Sequence, residues 1–204
     1  MKYIFFLLIA SLIVSCSSKD YEVLVETESF SQKGGWVVDQ QFTEQMGSPY
    51  LMAHGMGVPV KDAETLVKFP KKGRYHVWAR TKNWKPGKWK APGRFKIKIG
   101  EKVLDTEFGT EEGWNWQYGG VVDISTKNTT IKLQDITGFN GRCDAIYFSL
   151  SKSTPPNEPK ELLAWRNELT KVVETPPDAG SFDVVITGGG IAGCAAAIAA
   201  AKEG

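Results

Sequence analysis

Three glycines, Gly188, Gly190 and Gly193, stand in the spacing G-x-G-x-x-G between an apolar run, Val184-Val185-Ile186, and an alanine-rich stretch from Cys194 to Ala201. Each glycine answers a steric need. Gly188 lets the chain turn tightly out of a strand, Gly190 lets backbone approach a pyrophosphate, and Gly193 lets the new helix lie close to the strand. The start of such a helix presents unpaired N–H groups and a partial positive charge to phosphates. A continuous apolar run suits a parallel strand buried on both faces, and the alanines favour a helix packed closely on a sheet. The chemistry implied is dinucleotide binding; the other reading is an ordinary Gly-rich strand-to-helix turn.

The segment 182–204 resembles the start of the FAD-dependent oxidoreductase family, whose wider kin include heterodisulfide-reductase-like flavoproteins. Asp183 to Gly193 and the alanines after them carry the match. The resemblance implies FAD held through Gly188, Gly190 and Gly193, and a 4Fe–4S cluster in some relatives, although no C-x-x-C set stands here to ligate one. The acid that would hold the ribose falls about 20 residues further on, past Gly204, so spacing does not separate FAD from NAD. Cys194 reads as a buried small hydrophobe or a redox thiol. On this view residues 182–204 open a truncated α/β Rossmann-type FAD domain. The chain is then the N-terminal portion of an exported FAD-dependent oxidoreductase of unknown substrate, with unknown catalytic residues and an incomplete flavin site.

Elsewhere the side chains suggest binding rather than catalysis. His54 and His76 are isolated, so Ser-His-Asp and Cys-His chemistry have no support. Seven tryptophans are many for 204 residues, and Trp84, Trp89, Trp114 and Trp116 fall in Gly/Pro/Asn-rich stretches. Exposed indoles stack on the C–H faces of pyranose rings, which makes these four sugar-stacking candidates. The alternative is that they cap a core, because a buried indole removes much apolar area from water. Net charge is +2, yet Lys68 to Lys102 holds 13 Lys or Arg against Glu101 alone, a local +12 that leaves −10 for the remainder. Within it, Lys82 to Lys90 interleaves cations and aromatics. An exported chain seldom meets nucleic acid, so the partner expected is a glycan, an anionic polysaccharide or a membrane surface, with a solvated face as the plain reading.

Lys2, the apolar run Tyr3 to Val14 and the small residues before Cys16 form a secretory signal over residues 1–15, too short for a comfortable membrane span. Ile13-Val14-Ser15-Cys16 resembles a bacterial lipobox, which makes Cys16 the lipidated first residue of a membrane-anchored lipoprotein on the periplasmic or cell-surface side. A plain signal with an incidental cysteine is the other reading. Cys143 and Cys194 show no disulfide pattern.

The elements that must position these groups read as all-β from Tyr21 to Leu150. Short runs recur between turn signals at 21–28, 65–69, 75–80, 94–99, 119–124, 129–133 and 145–150. Arg94 to Ile99 alternates cations with apolar groups. The expected fold is a jelly-roll sandwich over residues 21–150, then a linker over 151–181 carrying one amphipathic helix, Glu158 to Val173, with Leu162, Leu163, Trp165, Leu169 and Val172 on its apolar side.

Val25 to Phe30, Gly73 to Arg80 and Cys143 to Phe148 are similar to jelly-roll carbohydrate-binding modules (galactose-binding-like domains), which open on an E-x-E strand, contain a G-x-Y-x-V-x-x-R strand and close on an aspartate-led apolar strand. The resemblance implies a structural calcium ion at Glu26, Glu28 and Asp144, an oxygen set suited to that hard cation, with Thr27 replacing the usual small apolar residue. The other reading makes these carboxylates exposed strand ends. As a function, the resemblance offers a lipid-anchored carbohydrate-binding module without catalysis of its own.

Overall fold

A computed structural model describes residues 21–85, 87, 90–171 and 177–203, which divide near residue 172 into two units. The first unit is a sandwich of two antiparallel sheets. Its strands are β1 (Glu22–Glu26), β2 (Trp36–Asp39), β3 (Tyr50–His54), β4 (Ala63–Lys68), β5 (Gly73–Thr81), β6 (Phe95–Ile99), β7 (Lys102–Val103), β8 (Asn115–Ile124), β9 (Asn128–Asp135) and β10 (Phe139–Ser149). One sheet runs β2-β3-β10-β5-β8, with β1 also pairing β10; the other runs β4-β9-β6-β7. Two helices belong to this unit, α1 (Thr43–Met46) and α2 (Pro159–Thr170).

Alternation decides which side chains meet between the sheets. On β6, Phe95, Ile97 and Ile99 point into the core while Lys96 and Lys98 face outward, as the period of two requires. Aromatic edges lock the layers, with Trp36 on Phe95 at 5.6 Å and Phe69 on Phe148 at 5.1 Å between ring centroids. Each such ring contributes about 1.5–3 kcal/mol by leaving water.

β10 organises the larger sheet. Its second half pairs β1 on one edge and β5 on the other, and its first half pairs β3. The 3-10 turn Thr27–Ser29 fills the place where β1 gives way to β3. There Thr27 is fully buried, and its Oγ1 lies within 2.9 Å of the carbonyls of both Cys143 and Asp144. A register shift between Cys143 and Ala145 follows. It leaves Cys143 and Ile146 in the core while Arg142, Asp144 and Ala145 serve the outer face, the effect of an extra residue in a ladder.

α2 lies on that outer face. Leu162 is buried, and Trp165 and Leu169 pack with it against Trp78, Trp116, Ala145 and Tyr147. The segment expected as a linker is thus fastened to the sandwich for much of its length. Pro159 begins the helix at a position where its missing N–H costs nothing.

In the second unit the regular element is α3 (Ile191–Glu203). Gly188 turns the chain at φ 94°, but residues 182–186 form no strand. A strand needs an edge to pair with; no described residue supplies one, and Val184, Val185 and Ile186 remain exposed. The expected opening of a Rossmann-type domain is corrected to a lone helix after an irregular turn.

Candidate ligand-binding face

The outer face of the larger sheet carries two polar assemblies. The first gathers Glu26, Glu28 and Asp144, the three carboxylates expected around a metal ion. Arg166, from α2, places its guanidinium among them. Its Nη2 is 2.6 Å from Glu26 Oε2 and 2.9 Å from Asp144 Oδ2, and its Nη1 donates to the Met46 carbonyl at 2.6 Å. Arg80 adds a second guanidinium, 3.1 Å from Asp144 Oδ2, and Ser48 donates to Asp144 Oδ1 at 3.1 Å. The Asp144 side chain is 0% exposed, so its charge is matched entirely from within the protein.

Electrostatics follow from this crowding. Burial raises Glu26 above the ordinary carboxylate range against the opposing pull of Arg166. Burial works against the charge of Arg166 too, but Asp144 and Glu26 outweigh it and hold the guanidinium above its usual value. Arg80 is lowered by burial, with Asp144 opposing. Glu28 has no such partner. Its Oε2 is buried without a hydrogen bond, and burial, with the charges of Glu26 and Asp144, pushes its carboxyl up to about 7. It lines an open pocket of about 290 Å³ with Glu26, Gly47, Ser48, Leu163 and Arg166.

Calcium does not fit this arrangement. Two of the oxygens it would need, Glu26 Oε2 and Asp144 Oδ2, already accept from guanidinium groups, and among the described residues no group of three acidic, His or Cys side chains is placed to hold a metal ion. Arg166 supplies the positive charge instead. The sequence signalled this faintly: Leu162, Trp165, Arg166 and Leu169 share one helical stripe, so Arg166 belonged to the buried side.

The second assembly lies where β3, β5, β8 and β10 meet their loops. Asn83 pins the loop after β5, its N–H donating to the Glu111 carbonyl at 2.7 Å and its Oδ1 accepting from the Lys85 N–H at 3.1 Å. Trp84 follows, part-exposed, its Nε1 donating to the Phe139 carbonyl at 2.8 Å. The two rings stack at 6.5 Å and 21°, with Phe139 47% exposed. Gly138 carries this turn at φ 66°, and a Cβ there would sit 2.2 Å from the Val58 carbonyl oxygen. Its own carbonyl accepts from the N–H groups of Gly55 and Gly57, which draws the loop after β3 into the same end. Next to Phe139, Asn140 holds φ 58° and places Oδ1 2.5 Å from His54 Nδ1.

Beside these rings stand Phe42, Lys82, Arg142 and Tyr50. Lys82 Nζ lies 4.2 Å over the Phe42 ring, and the Arg142 guanidinium lies 5.9 Å from Phe42 and 6.0 Å from Trp84. Burial and the Arg142 charge lower the Lys82 ammonium, and burial pushes the Tyr50 hydroxyl up to about 12. The arrangement sets flat, part-exposed rings and an amide beside one part-exposed and one buried cation.

Of the candidate tryptophans among the described residues, Trp84 is the one that stays part-exposed. Trp114 is 7% exposed, wedged against Tyr50 at 4.9 Å. Trp116 is 9% exposed, packed on Trp165 at 5.8 Å with Nε1 donating to the Pro156 carbonyl at 2.9 Å. Both are packing residues: Trp114, just before β8, packs with Met46 and Tyr50, and Trp116, on β8, packs under α2. Trp89 and the lipidation candidate Cys16 lie outside the described residues. Lys96 and Lys98 take local partners, the Asp105 carbonyl and Glu101. Phe139, Asn140 and Arg142 were missed; an aromatic bracketed by Gly138 and Gly141 was the available sign.

No protein-family model matches the chain, and no curated protein does either. Solved structures do. One is the Podospora anserina GH26-CBM35 β-(1,4)-mannanase, at TM-score 0.52 and 18% identity over 68% of this chain and 29% of that one. Another is a family 35 carbohydrate-binding module from Clostridium thermocellum, at TM-score 0.50 and 19% identity over 62% of this chain and 96% of the module. This chain therefore spans under a third of the first and nearly all of the second. The likeness establishes the sandwich fold. The expected FAD-dependent oxidoreductase is corrected: the fold this chain shares is that of carbohydrate-binding modules, and among the described residues the turn at Gly188, Gly190 and Gly193 lacks the strand that would make it a dinucleotide cradle.

Proposed function

We propose that this chain is a carbohydrate-binding module whose ligand stacks on the ledge formed by Trp84 and Phe139, with Asn140 as the adjacent hydrogen-bonding group. The observation that carries the reading is the parallel pairing of two part-exposed rings on a loop end of the sandwich, held by the indole N–H bond to the Phe139 carbonyl. A rigid apolar plane next to an amide suits a pyranose ring, which presents C–H groups on its faces and hydroxyls at its rim. The likeness to carbohydrate-binding modules supports it.

The test is calorimetric titration with a panel of oligosaccharides. Trp84→Ala is expected to weaken binding about 10- to 100-fold, the scale of a lost aromatic anchor, with little change in melting temperature. Trp116→Ala is expected to do the reverse and cost roughly 3–5 kcal/mol of stability as a core truncation. Retained affinity in Trp84→Ala would sink the reading. The proposal extends to a lipid-anchored, exported protein held through Cys16; Cys16→Ala should then abolish incorporation of labelled palmitate in a bacterial host.

A further inference from the structure

Every well-buried guanidinium of the sandwich but one faces a carboxylate. Arg80 pairs with Asp144, Arg166 with Glu26 and Asp144, and Arg94 with Glu107. Arg142 is the exception. It is 8% exposed, its Nε is buried without an acceptor, and its Nη1 makes one long bond, 3.4 Å to the Asn140 carbonyl. Asp39 and Arg142 both act on the buried Tyr50 hydroxyl, yet no carboxylate lies within 4.0 Å of Arg142 among the described residues. Lys82 is in the same position. It forms no ion pair among the described residues and rests on the Phe42 ring that Arg142 also approaches. Two like charges thus share one aromatic ring with no acid between them. Cation–π contacts offset part of that cost, but burying unpaired charge is unfavourable unless something neutralises it. That something would sit directly beside the Trp84 ledge, since the guanidinium is 6.0 Å from that ring too.

We propose that the sugar recognised at this ledge carries an anionic group, a carboxylate or a sulfate ester, and that Arg142 and Lys82 bind it. The inference rests on the sugar-binding reading above. A guanidinium with a free edge donates two parallel hydrogen bonds to either oxyanion, and an ammonium adds a point charge. Neutral sugars would leave both cations uncompensated.

The experiment is calorimetry on the full chain with three probes of matched length: an oligogalacturonate, a sulfated galactan oligosaccharide and an uncharged manno-oligosaccharide. At least one charged probe is expected to bind roughly 10- to 100-fold tighter than the neutral one, the scale of a charge-assisted hydrogen bond. Raised salt should erode that advantage. Which charged probe wins identifies the anion. Lys82→Gln and Arg142→Gln should each remove most of the preference of charged over neutral probe; part-exposed Lys82 provides a variant that spares the fold should Arg142→Gln unfold. Equal binding of charged and neutral probes, abolished by Trp84→Ala, would overturn this inference and leave the sugar-binding reading standing. So would a charge preference that survives both Gln variants. No binding of any probe would overturn both.

Discussion

Replacing Arg166 with Met tests the replacement of a metal ion by a side chain. The substitution keeps most of the apolar stem and removes the guanidinium. It breaks contacts of 2.6 Å to Glu26, 2.9 Å to Asp144 and 2.6 Å to the Met46 carbonyl. Asp144 would keep Arg80 as its cationic partner, and Glu26 would lose its ion pair. Removing one member of a buried ion pair costs about 3–5 kcal/mol, mostly because the survivor stays buried and charged. With a urea slope of about 2 kcal/mol per M, the unfolding midpoint should fall by roughly 2 M. Tryptophan fluorescence is the natural readout, since all seven tryptophans precede α3 in the sequence and Trp36, Trp78, Trp114 and Trp116 are buried in the sandwich. Adding Glu26→Gln to Arg166→Met should recover part of the loss, because the orphaned carboxylate is then gone. Calcium should leave the wild-type midpoint where it is. A loss below about 1 kcal/mol, strict additivity of the two substitutions, or a clear rise in the wild-type midpoint with calcium would each refute the argument.

Two further outcomes follow from the same assembly. Glu28 titrates at about 7 in the folded protein against 4.5 as its ordinary value. A raised acid means the native state binds the extra proton, so its contribution is full below pH 4.5 and is lost as pH rises through 7. His76, lowered chiefly by burial, acts in the opposite sense as pH falls. Glu28→Gln should therefore flatten the decline in urea midpoint between pH 4.5 and 7 that the parent protein shows. Ending the chain after Leu150 removes Arg166 together with Leu162, at about 3–5 and 1.5–3 kcal/mol. Those losses rival the whole stability of about 5–15 kcal/mol usual for a domain. That product should be insoluble or molten, and one ending at Lys171 should unfold cooperatively in urea.

All seven strand runs expected between turn signals correspond to strands, including Arg94 to Ile99 as β6 and Ala145 to Leu150 at the end of β10. β2, β3 and β7 were not anticipated. Tyr50-Leu51-Met52-Ala53-His54 lacks β-branched residues and becomes a strand because β10 and β2 pair it from both sides. The glycine motif misled in the opposite way. Local sequence specified turn and helix correctly at Gly188 and Ile191, but a strand is a tertiary object, and Val184 to Ile186 found no neighbour. The carboxylates were picked out correctly as a group, yet their cation came from a residue about 20 positions past Asp144, which spacing alone does not reveal. The candidate face was legible through Trp84 and opaque through Arg142, because the rings that Arg142 meets, Phe42 and Trp84, come from distant parts of the chain.

The pairing of Glu22 with Ser149 puts the entry and exit strands of the sandwich side by side. Pulled apart at those two residues, the antiparallel pair would open like a zipper, one hydrogen bond at a time, which is the mechanically weak direction. The path of load beyond Ser149 is different. It runs through 151–158 into α2, and α2 is clamped by Arg166 to Glu26, at the far end of β1. A pull transmitted from beyond α2 therefore meets the buried guanidinium before it reaches the sheet. In the role proposed above, that cross-link is a mechanical fuse, and its strength sets how much tension the sandwich withstands.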